Sequence, residues 1–170
     1  MEALLPQLHG ADAVEIPGAR SLLDSLIAAS ARWTIVTSGT EPLVHGWLSV
    51  LKLPEPENLV TAESVANGKP DPACYSLGRE KLGLAPSDSD QILVLEDSPA
   101  GIRAGKAAGC KVLGLVTSHT AEQVRAAEPD WIVRDLQSVS LVRVDESAGT
   151  VTLRFANALA PVAANGSAST

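Results

Sequence analysis

A run of four apolar residues, Ile92 to Leu95, leads directly into two adjacent acids, Glu96 and Asp97. An uninterrupted apolar run of this length is typical of a strand that is buried on both faces of a parallel sheet. The two carboxylates therefore fall at the carboxyl end of that strand, where open α/β sheets bind ligands. Adjacent carboxylates suit Mg²⁺, but they would equally cap the helix predicted to follow them.

Strand and helix patterns alternate on both sides of this stretch. Four further short apolar runs predict strands, at 33–36, 59–61, 112–116 and 131–133. Because segments with helical spacing of apolar residues separate these runs, the chain is predicted to fold as a three-layer, doubly wound, Rossmann-like parallel α/β sheet. The pattern changes to alternation in 139–144 and 150–155, which flank a short polar turn and predict a C-terminal β-hairpin.

The chain is expected to contain one core domain, formed by residues 14–155. Residues 1–13 form a short, weakly apolar segment, which we expect to be a linker or, as the family resemblance described below implies, a remnant of a helical cap. Residues 156–170 are mostly Ala, Ser, Asn and Gly and are predicted to be a disordered tail.

Composition excludes several classes of function. The 170 residues are 45% apolar with a net charge of −7 and no basic cluster, so a globular protein that binds neither nucleic acid nor anionic membrane is expected. No apolar run reaches the roughly 18 residues of a membrane span, and no signal-peptide pattern is present. Cys74 and Cys110 lack metal-type spacing, and we interpret them as buried hydrophobes of a cytoplasmic protein.

Three polar sites follow predicted strands or lie in loops between them. Ser38 and Gly39 offer a hydroxyl and a backbone amide, Lys69 offers a compact positive charge, and Glu96 with Asp97 offers a metal site. A hydroxyl, an ammonium group and Mg²⁺ ligands are together suited to holding a phosphoryl group. Taken singly, Ser38 could also close a turn and Lys69 could be a solvated loop residue.

Three segments, Val36–Thr40, Gly68–Pro72 and Leu95–Ile102, resemble the second, third and fourth motifs of the haloacid dehalogenase superfamily, in the right order and at the right spacing. Residues 102–115 are most similar to the fungal branch of glycerol-phosphate and 2-deoxyglucose-6-phosphate phosphatases. The resemblance covers about residues 14–155. It implies a phosphatase that hydrolyses a small sugar or polyol phosphate with Mg²⁺.

The resemblance also implies a role for each polar residue. Ser38 would bind the transferring phosphoryl group with the help of the Gly39 amide, and Lys69 would bridge that group and the nucleophile. Glu96 and Asp97 would hold Mg²⁺, with Asp97 the more certain ligand.

The chain departs from the superfamily at the first motif, a strand followed by D-x-D-x-T/V that supplies the nucleophile and the general acid. Nothing before Ser38 fits it, since Asp12 follows no apolar strand and Asp24 falls within a predicted helix. That strand normally lies between the strands that end at Ser38 and Asp97. Without it, these two strands are expected either to leave a gap or to pair directly.

Two functions therefore remain open at this point. The first is a phosphatase that is truncated here and inactive alone. The second is a non-catalytic module that keeps a phosphate and Mg²⁺ pocket or serves in protein interactions. A receiver-like signalling domain is a weaker third alternative, since it also uses an acid pair, a hydroxyl and a lysine.

Overall fold

The computed structural model describes residues 4–159, which form an α/β fold. The helices are α1 (Leu5–His9), α2 (Ala19–Ala28), α3 (Glu41–Leu51), α4 (Ala73–Lys81), α5 (Pro99–Ala107) and α6 (Ala121–Arg125). The strands are β1 (Ile35–Val36), β2 (Leu59–Val60), β3 (Leu93–Glu96), β4 (Lys111–Leu115), β5 (Trp131–Val133), β6 (Val139–Asp145) and β7 (Thr150–Phe155). Every strand predicted from the sequence is confirmed, with its ends shifted by at most two residues.

Local hydrogen bonds explain where the two helices beside the predicted site begin. The Ser98 hydroxyl accepts a hydrogen bond from the Gly101 amide at 3.0 Å, and Pro99 follows at the first helical position of α5, where its missing N–H costs nothing. Asp71 accepts a hydrogen bond from the Ala73 amide at 2.8 Å and so caps α4. The loops that carry the candidate residues are therefore fixed to helix ends.

The strands form three separate hydrogen-bonded groups within the described residues. β3, β4 and β5 are parallel in that order, β1 and β2 form a parallel pair, and β6 and β7 form the predicted antiparallel hairpin. The predicted α/β class with parallel strands and a C-terminal hairpin is confirmed. No strand of the described chain pairs with both β1 and β3, so the structure has a gap between these strands.

Packed side chains hold the two parallel groups together across this gap. On one face, α4 contacts β1, β2 and α5, and α5 contacts β3 and β4. The buried residues of this face include Val60, Val94, Ile102, Val112 and Val124. The other face of β3–β5 is covered by α2 and the hairpin, through a second cluster of Leu22, Leu113, Leu115, Val133 and Val139.

The ends of the described chain pack on this core to different extents. Pro6 of α1 is buried against α3 at Gly46, whereas Leu8 on the same helix is 71% exposed. At the other end, the Leu159 amide donates to the Ile132 carbonyl at 2.8 Å, so residues 156–159 of the predicted tail are tied to the sheet. Residues 160–170 of that prediction lie outside the described range. Between residues 4 and 159, each helix is too short or too polar to cross a membrane.

Candidate functional site

Ser38 and Lys69 line one cleft of about 230 Å³ at the carboxyl ends of β1 and β2. Its lining residues are Thr37, Ser38, Thr61, Ala62, Val65, Ala66, Gly68, Lys69 and Cys74. Ser38 directly follows the turn out of β1 and is exposed, so its hydroxyl can reach a ligand in the cleft. Among the described residues, no Asp or Glu lines this cleft, and Lys69 is the one charged side chain in its lining.

Lys69 lies between the ends of β1 and β3, which are not paired with each other. Its Nζ donates a hydrogen bond to the carbonyl oxygen of Val36 in β1 at 3.2 Å and forms an ion pair with Glu96 at the end of β3. An ammonium group has three N–H donors. Within residues 4–159 only these two hydrogen bonds are formed by Nζ, so one donor is left for a ligand.

Glu96 points into the protein, where both of its carboxylate oxygens have partners. Oε1 accepts from Lys69 and from the Tyr75 hydroxyl at 2.5 Å, and Oε2 accepts from the amide and hydroxyl of Ser98 at 3.2 and 3.1 Å. A Cβ at position 101 would lie 2.0 Å from Glu96 Cδ, so only Gly101 allows α5 to approach this closely. Glu96 therefore holds Ser98, the residue that caps α5, and is the counter-ion of Lys69.

The surroundings of Glu96 and Tyr75 shift the pKa of each side chain. Burial by itself would raise the pKa of Glu96, but the Lys69 ammonium and the hydrogen bonds from Lys69, Tyr75 and Ser98 outweigh it and lower the pKa. Burial, together with the negative charge of Glu96, raises the pKa of Tyr75 far above its ordinary value. The site at neutral pH thus contains a charged Lys69–Glu96 pair and a neutral tyrosine.

The Gly39 amide, which the sequence assigns to phosphate binding, has a partner inside the protein. It donates a hydrogen bond to Thr37 Oγ1 at 3.0 Å, and the Gly39 carbonyl accepts one from the Ala62 amide at 3.0 Å. A ligand would have to displace the Thr37 hydroxyl to use this amide. The geometry therefore supports a phosphate-binding role for Ser38 and Lys69 directly, but not for the Gly39 amide.

The side chains near Asp97 do not fit a complete metal site. No group of three or more His, Cys, Asp or Glu side chains within residues 4–159 is arranged to hold a metal ion. Both oxygens of Glu96, the second predicted ligand, already accept hydrogen bonds, so Glu96 would have to give up some of these contacts to bind a metal ion with Asp97. Asp97 itself is half-buried, and its carboxylate has no hydrogen-bond or ion-pair partner in that range.

The other candidate acids lie away from the cleft. Asp12 is exposed in a short 3₁₀ turn, and Asp24 is exposed on α2. Sequence reasoning missed Tyr75 and Gly101, which hold Glu96 in place. A usable signal was the alternation of β3, which directs Glu96 to the same buried face as Val94.

Comparison with known proteins identifies a family that the chain matches. Residues 6–125 match the haloacid dehalogenase-like hydrolase family. Over 160 residues, the chain is 36% identical to glycerol-1-phosphate phosphohydrolase 1 of Saccharomyces cerevisiae, covering 91% of this chain and 64% of that protein. It is 38% identical over 146 residues to 2-deoxyglucose-6-phosphate phosphatase 2 of the same yeast, covering 78% of this chain and 59% of that protein.

The fold agrees with solved structures as well. A hydrolase from Pseudomonas syringae superposes with a TM-score of 0.70 at 26% identity, over 79% of this chain and 61% of that one. The chain therefore belongs to the haloacid dehalogenase-like hydrolase family, and the predicted resemblance to the yeast phosphatases is confirmed. It spans about six-tenths of the length of these relatives.

Proposed function

We propose that this chain carries the phosphate-binding part of a phosphatase that acts on small sugar or polyol phosphates. The observation that carries the proposal is the convergence of Ser38 and Lys69 on one small cleft with no acid in its lining. Membership of a hydrolase family supports it, as do relatives named for glycerol-1-phosphate and 2-deoxyglucose-6-phosphate.

In this proposal, each group contributes in a different way. The Ser38 hydroxyl donates a hydrogen bond to one phosphoryl oxygen, and the free N–H of Lys69 donates to another. As negative charge develops on the phosphoryl oxygens during transfer, the fixed ammonium group stabilises it without having to reorient. Glu96 holds Lys69 in place rather than touching the substrate. Asp97 would hold Mg²⁺ weakly, mostly through the waters of the ion.

Acting alone, these 170 residues bind phosphate but do not hydrolyse phosphomonoesters at a useful rate. The covalent route needs a carboxylate beside the phosphorus atom. The cleft contains no acid, and Asp12 and Asp24 are exposed elsewhere. The same observation favours the alternative of a non-catalytic phosphate-binding module. Whether it is part of a phosphatase or a non-catalytic module, we assign the protein to the cytoplasm. Cys74 and Cys110 are free and buried, as is usual in reducing compartments.

Binding of inorganic phosphate, measured by calorimetric titration, tests the proposal. We expect the unmodified chain to bind it, Ser38→Ala to weaken binding, and Lys69→Met to lose it. Ser89→Ala is the matched control, because Ser89 is a buried hydroxyl before β3 whose partners are Arg79 and Pro86. Equal phosphate affinity in Lys69→Met and the unmodified chain would contradict the proposal.

An activity assay tests the expectation that this chain alone does not turn over a phosphomonoester. With para-nitrophenyl phosphate or glycerol phosphate and Mg²⁺, we expect turnover far below about 1 s⁻¹, the lower range of typical enzymes. Turnover at or above that rate, lost in Lys69→Met, would show that an acid of this chain acts as the nucleophile. Asp12→Asn would then be the next variant to assay.

A further inference from the structure

Tyr75 contacts both members of the Lys69–Glu96 pair. It lies in the first turn of α4, is only 8% exposed, and donates its hydroxyl hydrogen to Glu96 Oε1 at 2.5 Å. The Nζ of Lys69 lies 5.1 Å from the centroid of the Tyr75 ring, within the range of a cation–π interaction. One side chain thus touches the carboxylate through its hydroxyl and the ammonium through its ring.

These contacts restrict where the Lys69 ammonium can lie. Glu96 Oε1 is shared between the tyrosine hydroxyl and the ammonium, and Ser98 occupies Oε2. Lys69 therefore meets the carboxylate at one position only, and its second hydrogen bond to Val36 fixes the rotation of the amino group. The third N–H then has a defined direction rather than a freely rotating one.

We propose that Tyr75 is a positioning residue for phosphate binding, acting through Lys69. Its hydroxyl donates to one lone pair of Glu96 Oε1, which leaves the other lone pair for the Lys69 ammonium. Its ring contacts the ammonium through the cation–π interaction. This keeps one donor of Lys69 available to a phosphoryl oxygen in the cleft. The proposal rests on the proposed function, because it requires Lys69 to bind phosphate.

The first test uses Tyr75→Phe, which keeps the ring and removes the hydroxyl. The affinity for inorganic phosphate should fall about tenfold, the scale of one hydrogen bond to a charged group. Ser89→Ala, which removes a buried hydroxyl at the other end of β3, should bind phosphate like the unmodified chain. Thermal unfolding of both variants shows whether the loss in Tyr75→Phe exceeds that expected from lowered stability alone.

The second test keeps Tyr75 itself in place and uses a label instead of a substitution at this position. Tyr75 is the single tyrosine of the chain, so biosynthetic incorporation of meta-fluorotyrosine labels this position alone. We expect the fluorine NMR resonance to shift as phosphate is added, with the midpoint found by calorimetry. The same titration of Lys69→Met should leave the resonance unmoved.

The outcomes distinguish this inference from the proposed function. If Lys69→Met abolishes binding while Tyr75→Phe binds phosphate as tightly as Ser89→Ala does, the positioning role is wrong and the proposed function stands. A fluorine resonance that stays fixed while calorimetry records phosphate binding would overturn the positioning role in the same way. If the unmodified chain binds no phosphate, both proposals fail.

Discussion

The Lys69 ammonium lies 3.2 Å from the carbonyl oxygen of Val36 and spans the gap between β1 and β3. The direction of that carbonyl follows from strand geometry. The Thr37 amide donates to Val60 in β2, and neighbouring residues of a strand direct their backbone groups to opposite sides. The Val36 carbonyl therefore faces away from β2 and into the gap. Lys69 satisfies it there and meets Glu96 at the end of β3.

Replacing Lys69 should destabilise the fold as well as the binding site. The side chains of Lys69 and Glu96 are 11% and 6% exposed, so Lys69→Met leaves a buried carboxylate without its counter-ion. We expect the free energy of unfolding at neutral pH to fall by about 3 kcal/mol, as is typical when one partner of a buried pair is removed. Urea denaturation measures this. Lys106→Met is the control, because its pair with Asp130 is more exposed and should contribute less than about 1 kcal/mol.

The same variant should reverse the pH dependence contributed by Glu96. In the unmodified chain the pKa of Glu96 lies below its ordinary value of 4.5, so its stabilising effect is complete above that pH and is lost as the pH falls towards the lowered pKa. In Lys69→Met burial dominates and raises the pKa, so the stability deficit should shrink in acid. Urea midpoints measured from neutral to acidic pH report both trends. A deficit that stays constant with pH would contradict this account.

Gly101→Ala should be strongly destabilising although alanine normally favours helices. The new Cβ would lie 2.0 Å from Glu96 Cδ, and Glu96 cannot move without losing its contacts with Lys69, Tyr75 and Ser98. We expect a loss of about 2 kcal/mol or more, measured by urea denaturation. Gly68→Ala, with no atom within 4 Å of its new Cβ, should change stability little. Similar results for the two variants would mean that α5 adjusts freely.

Thr37→Val tests whether the Gly39 amide can contribute to phosphate binding. Valine keeps the shape of threonine but removes the oxygen that now accepts the Gly39 N–H at 3.0 Å. The freed amide should then donate to a phosphoryl oxygen, and we expect the affinity for inorganic phosphate to rise about threefold, a modest share of one hydrogen bond. Calorimetric titration measures the change. Weaker binding would show that the Thr37 hydroxyl itself contacts the ligand.

The sequence predicted the elements of this fold better than the relations among them. The apolar runs before Glu96 and around Val112 predicted buried strands because no other element of that length buries both faces. The gap beside β3 was one of two expected outcomes, and periodicity could not decide between them. Pairing depends on how α4 and α5 pack across both groups of strands, through Val60 and Ile102 among others.

The prediction of the candidate site was incomplete for a similar reason. Spacing along the chain placed Ser38 and Lys69 at the same edge of the sheet, where the structure also has them. It did not give the orientation of Glu96, which depends on the position of Tyr75 and on the absence of a side chain at Gly101. Both residues act through close approach in space, which leaves no periodic pattern in the sequence.

Magnesium titration should distinguish the two acids that end β3. Within residues 4–159 the Asp97 carboxylate has no hydrogen-bond or ion-pair partner, whereas both oxygens of Glu96 already accept hydrogen bonds. With one protein ligand, Mg²⁺ would be held mostly through its waters, so we expect a dissociation constant in the millimolar range or weaker. Asp97→Asn should remove this binding. Glu96→Gln should leave it within about twofold, since both oxygens of Glu96 are engaged by protein donors, while lowering stability through the loss of the Lys69 pair.

Repeating the magnesium titration with inorganic phosphate tests whether the two ligands bind together. If phosphate bound in the cleft reaches a metal ion held by Asp97, it supplies further oxygen ligands, and Mg²⁺ and phosphate should then each tighten the binding of the other by the same factor. Mn²⁺ in place of Mg²⁺ allows both affinities to be followed by water-proton relaxation. Equal losses of metal affinity in Asp97→Asn and Glu96→Gln, with folding intact, would instead favour a site in which both carboxylates bind the metal. Glu96 would then have to exchange its contacts with Ser98 for the ion, and phosphate binding through Lys69 should weaken as the metal is added.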